Sequence, residues 1–159
     1  NLITLIFSIL ASFQSLAEFK PDINEGAAAY NSGDYETALL HWVTLANYGD
    51  AAAQSNLGVM YDHGEGVLEK DKTAVKWYIK AAEQAFAEAQ FALGLKYANG
   101  EGVLTSNIKA YMWFNLAAYN GFTGAADNKD IITETMTNEQ IAKAQELSQR
   151  CLDSGYKDC

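Results

Sequence analysis

The sequence predicts an all-α fold, an α-solenoid of antiparallel helix pairs with about three repeats and a C-terminal capping helix. Three observations point to it. Shifted by 36 places, residues 51–86 of the 159-residue chain fall on 87–122 with sixteen identities, and self-similarity at such a period marks a stacked array. Within each copy, alanines and large aromatics recur at spacings of three and four, which is one face of a helix. A single proline, Pro21, and many alanines favour helix, since alanine loses no side-chain entropy there and proline breaks the hydrogen-bond ladder.

Residues 1–17 stand apart because they carry no charge. The run is short of the ~20 residues a membrane span needs. It ends in Ser15-Leu16-Ala17, small residues at the positions a signal peptidase reads, just before polar Glu18. A signal peptide over 1–17 is expected, with a basic leader ahead of Asn1; an uncleaved N-terminal anchor helix is the alternative. The cleavage point holds no cysteine, which disfavours a lipid-anchored product. Residues 18–50 form the first unit, with Ala38, Trp42 and Ala46 standing 36 places before Ala74, Tyr78 and Ala82. Its loop, Asn31 to Thr37, is five residues shorter than Asp62 to Thr73.

Residues 51–86 and 87–122 are the two full units. In the first of them Ala53, Leu57 and Tyr61 mark one face of a leading helix, with Gly58 admitting the neighbouring helix. Gly64-Glu65-Gly66-Val67-Leu68 then breaks that helix. Ala74, Trp77, Tyr78, Ala81 and Ala82 mark a second helix, and Asp71 and Asn107 are its expected caps in the two copies. Gly49, Ala85 and Gly121 recur at the turn between units. Residues 123–159 are the capping helix and tail, opened by a capping box between Thr137 and Gln140 and striped by Ile141, Ala144, Leu147 and Cys151. Cys151 and Cys159 are the only cysteines. In an exported chain they suggest a disulfide that folds the tail back; two free thiols in a frayed tail are the alternative.

Ala-x-x-Leu-Gly-x-x-Tyr, then Gly-x-Gly-Val, then Ala-x-x-Trp-Tyr-x-x-Ala-Ala resembles the Sel-1-like repeat, a relative of the tetratricopeptide repeat. The first unit, from Tyr30 through Gly33, Asp34 and Tyr35 to Ala38, is closer to a tetratricopeptide unit. The resemblance covers about residues 25–122. Ala85 departs from it where glycine is usual, and Ser106-Asn107 where an acidic residue is commoner. It implies non-enzymatic protein–protein scaffolding, often in bacterial envelopes, with no shared catalytic residues and no cofactor.

The formal charge of −9 argues against nucleic acid and anionic lipid as partners. Ser106-x-x-Lys109 has the spacing found in penicillin-recognising enzymes, and some exported relatives have been associated with β-lactam hydrolysis. An envelope hydrolase acting through Ser106 and Lys109 is therefore the alternative function. The chain lacks the accompanying Ser-Asp-Asn and Lys-Thr-Gly motifs, however, and the matching residues in the other copy are Lys70 and Thr73. His41 falls in the packed register of Trp77 and Trp113, and His63 in a solvated turn. Neither has a second ligand at helical spacing, so no metal site is expected. Gly64-x-Gly66 and Gly100-x-Gly102 follow helices rather than strands, unlike a phosphate loop.

What the repeat leaves over is the exposed side of the leading helices. Carrying the tetratricopeptide register across places Ala52, Ser55, Val59, Asp62 and His63 on a concave face, followed by Glu88, Phe91, Leu95, Ala98 and Asn99. Val59, Phe91 and Leu95 are apolar without need of the core, unless they pack under the C-terminal cap. A shallow apolar groove edged by Glu88 and Asp62 suits an extended peptide or protein segment with basic flanks. The expected product is a monomer, periplasmic or secreted and free of membrane after cleavage. Assembly through the apolar end faces of the array is a further structural alternative.

Overall fold

The computed structural model describes residues 19–159, so the expected signal peptide over 1–17 lies outside the described residues. Eight helices and no strand occur among the described residues: α1 (Ile23–Asn31), α2 (Tyr35–Asn47), α3 (Ala51–His63), α4 (Asp71–Ala82), α5 (Ala87–Asn99), α6 (Asn107–Tyr119), α7 (Ala125–Thr133) and α8 (Asn138–Asp153). Consecutive helices pack in pairs, and α8 returns onto α6. The fold is an all-α solenoid, as the period implied.

The recurring residues are the packing surface. Ala53, Leu57, Ala74, Ala81, Ala82, Ala89, Leu93, Ala110 and Ala117 are wholly buried. A Cβ added to Gly58 would stand 2.4 Å from the Tyr78 ring, and one added to Gly94 would stand 2.4 Å from Phe114. Glycine at these positions is what lets each leading helix rest directly on the aromatic of its partner. Gly26 does the same against Trp42. Gly26 precedes Gly58 by 32 residues rather than 36, so the first unit is shorter by four residues, not five, and Tyr30 occupies the place of Asp62.

Buried glutamines stitch the units together. Gln54 Nε2 donates to the Ala46 carbonyl (3.1 Å), and Gln90 Nε2 to that of Ala82 (3.1 Å). Each amide oxygen is filled in turn, Gln54 by Gln84 and Gln90 by Asn120, both at 2.8 Å. These bonds satisfy polar groups that would otherwise be costly inside the core. At the inter-unit turn Ala85 adopts φ 63°, a left-handed conformation that costs a non-glycine residue about 1 kcal/mol.

Two expectations about caps change. Asp71 and Asn107 are the first residues of α4 and α6, and the capping positions belong to Lys70 and Ser106. The reason is that the loop closes on backbone: Lys70 N donates to Tyr61 O and Ser106 N to Tyr97 O, each at 2.8 Å. This frees Asp71 and Asn107 for other contacts. The C-terminal cap holds two helices rather than one. α7 is short, opens at Gly124 and buries only Ala125, so no apolar stripe announces it. α8 carries the expected capping box at Thr137 and Gln140 and buries Ala144, Ser148 and Cys151. Cys151 and Cys159 are disulfide-bonded, with Cα atoms 4.8 Å apart.

Candidate binding face and inter-unit ion cluster

A helix flanked on both sides in a solenoid keeps only a narrow stripe open. On α3 and α5 that stripe follows spacings of four, three and four: Ala52, Asn56, Val59 and His63, then Glu88, Ala92, Leu95 and Asn99. Of the expected groove residues, Val59, His63, Glu88, Leu95 and Asn99 lie on it. Leu95 is 37% exposed.

Ser55 does not lie on the stripe. It is 5% exposed, because its position turns into the flank of the array. Phe91 occupies the same position one unit later and is half-buried. Its ring stacks on Phe122 (centroids 4.4 Å, 21° between planes) and meets Phe114 at 5.6 Å. Phe91 therefore packs within its own unit rather than under the C-terminal cap. Asn56, one residue round the helix from Ser55, faces the groove instead.

Asp62 is likewise not a free rim charge. Its carboxylate pairs with Lys96, whose ammonium also reaches Glu101 (2.8 Å) and Asp71 (3.3 Å). Lys96 is 6% exposed. Burial alone would lower its pKa, but the carboxylates of Asp62, Glu101 and Asp71 outweigh that and hold it above the usual lysine value. Tyr78, buried beside Asp62, has its phenol pushed up by burial and by that carboxylate. The sequence did contain a signal for this cluster: Lys96 interrupts the buried side of α5 in the register of Met60, which is wholly buried.

The face also has a recess between α1 and α3. A crevice of about 190 Å³ is lined by Ala27, Tyr30, Asn31, Trp42, Asn56 and Val59. The Tyr30 and Trp42 rings lie 5.3 Å apart at 41°. Tyr30 Oη donates to Glu65, and burial followed by that bond raises the phenol to about 12. Tyr35 Oη donates to the same carboxylate at 3.5 Å, and His63 Nδ1 lies 3.7 Å from it. A larger groove runs along α2 past Leu39, Leu40 and Val43, but one helix supplies its whole lining and it has no second wall.

Ser106 Oγ accepts from Lys109 N at 3.3 Å, as a helix cap, while Lys109 Nζ lies over the Tyr97 ring at 5.1 Å. The hydroxyl and the ammonium are thus each engaged elsewhere. His41 is buried; its Nδ1 accepts from Asp22 N at 2.9 Å, and Phe19 packs on its ring.

Comparison with known proteins agrees with this architecture. The Sel1 repeat model matches residues 51–86 and 87–122. No curated protein matches the chain. Among solved structures, c5321, a protective antigen present in uropathogenic Escherichia coli strains and displaying an SLR fold, is similar with TM-score 0.79 and 30% identity, over 84% of this chain and 30% of that one. A Sel1 repeat protein from Oxalobacter formigenes is similar with TM-score 0.69 and 33% identity, over 79% of this chain and 55% of that one. The chain therefore spans from under a third to just over half of the length of these two structures. It is a Sel1-repeat protein, and that family points to a helical-repeat scaffold for protein–protein interaction.

Proposed function

We propose that the chain is a non-enzymatic module of the cell envelope or extracellular space that binds an extended peptide or protein segment along α1, α3 and α5. The observation that carries this reading is Leu95, a large apolar side chain left open on a helix whose core positions are already filled by Ala89 and Leu93. With Val59 and Ala92 it makes an apolar floor, and Asn56, His63, Glu88 and Asn99 supply polar edges. An extended segment buries alternate side chains on such a floor and meets the edges with its backbone. Export is supported by the uncharged run over 1–17 and by the Cys151–Cys159 disulfide, a bond that persists in oxidising compartments. The description of c5321 as a protective antigen agrees with that location.

Site-directed photo-crosslinking in intact cells tests the reading. A crosslinking residue at position 95 is expected to capture a discrete protein or peptide adduct outside the cytoplasm. The same residue at position 104, whose leucine is 90% exposed on a loop, is expected to give none. Equal capture at both positions, or adducts confined to cytoplasmic proteins, would overturn it.

A further inference from the structure

We propose that the crevice between α1 and α3 is the specificity pocket of this face and takes an arginine side chain of the bound segment; this rests on the groove reading above. Its size suits one long side chain, at about 190 Å³. Its walls are chemically mixed: Tyr30 and the largely buried Trp42 are aromatic, Ala27 and Val59 are apolar, and Asn31 and Asn56 carry side-chain amides whose oxygens can accept hydrogen bonds. A planar guanidinium satisfies all three at once. It lies against aromatic faces, packs its stem on methyls and donates several hydrogen bonds in its plane. A purely apolar side chain would cover Asn31 and Asn56 without giving them a partner, which carries a desolvation cost.

Charge selects the same occupant. Residues 19–66, which build α1, α2 and α3, hold seven Asp and Glu against a single lysine, Lys20. Residues 67–122 hold five acidic side chains and six lysines. The crevice therefore sits in the acidic part of a molecule whose next part is near neutral. Glu65 stands behind the aromatic wall, and the bond it accepts from Tyr30 draws electron density onto that ring. At the equivalent place one unit on, Tyr30 is replaced by Asp62, whose charge Lys96 already neutralises. Of these two matched places, the first keeps the Glu65 carboxylate behind a partly exposed tyrosine ring, whereas the second has its carboxylate paired with an ammonium.

The test is a nuclear magnetic resonance titration of the isotope-labelled protein with three blocked pentapeptides, Gly-Ala-X-Ala-Gly, in which X is arginine, citrulline or leucine. The arginine peptide is expected to shift the side-chain amides of Asn31 and Asn56 and the Trp42 indole. Citrulline, of the same shape without the charge, should bind about tenfold more weakly, the factor that one partly desolvated cation–π contact carries. Asn56→Lys should abolish the arginine response, whereas Glu134→Lys, at the exposed C-terminal end of α7 and off this face, should leave it. If leucine or citrulline binds as tightly as arginine, the pocket assignment falls and the groove reading stands. If none of the three moves any resonance of α1, α3 or α5, both fall.

Discussion

Two junctions between repeat units share one backbone plan and, of four matched positions, keep a glutamate at one and differ in chemistry at the other three. Where the first unit meets the second, those positions are Tyr30, Tyr35, Met60 and Glu65; where the second meets the third, they are Asp62, Asp71, Lys96 and Glu101. In the first, a wholly buried methionine fills the space and two phenols converge on one carboxylate. In the second, a buried ammonium fills the same space and gathers three carboxylates. A buried methionine needs no partner, whereas a buried charge is tolerated only when paired and hydrogen-bonded. The second junction thus turns acidic side chains inward as structure, and the first leaves the surrounding acidity facing solvent. The formal charge of −9 is for this reason unevenly available to a partner.

The sharpest way to break the comparison is to remove the lysine. Lys96→Ala strands Asp62, whose side chain is 16% exposed, while Asp71 and Glu101 are 41% and 46% exposed and partly screened by water. Deleting one member of a buried pair costs about 3–5 kcal/mol, and the screening places this one near the lower end, at about 3 kcal/mol in urea unfolding. Lys96→Met combined with Asp62→Asn recreates the apolar chemistry of the first junction and should recover most of that loss. A cost below about 1 kcal/mol for Lys96→Ala would mean that the cluster is only a surface feature. Smaller effects separate the two glutamates. Glu101→Gln weakens a charge-assisted bond and should cost about 1 kcal/mol. Glu65→Gln still accepts from Tyr30 and should cost about half as much. Equal costs would remove the distinction between the junctions.

The residues that recur were readable because stacking dictates them. The close approach at Gly58, the alanine stripes, the inter-unit turn at Ala85 and the Thr137 capping box all follow from local geometry, and each is found where the spacing put it. Lys96 escaped notice because identity between copies finds what repeats, and Met60 and Lys96 do not. Ser55 was misplaced by one step of helix rotation: the face was transferred from a template register, and a helix packed on both flanks exposes a narrower stripe, running through Asn56. Asp62 looked free because a partner 34 residues away in sequence is visible only once the units are stacked. α7 lacked a signal altogether, since nine residues that bury one alanine carry no periodicity.

Alkaline titration gives a subtler separation of the two junctions. Tyr30 holds its proton more tightly when folded, about 12 against its ordinary 10.0. The folded state therefore binds more protons than the unfolded chain between these values, and stability falls as pH rises. The contribution of Tyr30 is fully present below pH 10 and is lost on the way to 12. Lys96 is also raised above its ordinary 10.5, so its contribution has the same sign but is lost only at higher pH. The first junction should accordingly weaken before the second. Urea midpoints at pH 8, 10 and 11.5 should show the downward slope in the wild type and a shallower one in Tyr30→Phe, which keeps the ring and has no proton to lose. Tyr78 is raised as well, so a residual slope is expected in that variant. If Tyr30→Phe declines as steeply as the wild type, the phenol–carboxylate contact is not what holds the first junction, and packing of Met60 carries it alone.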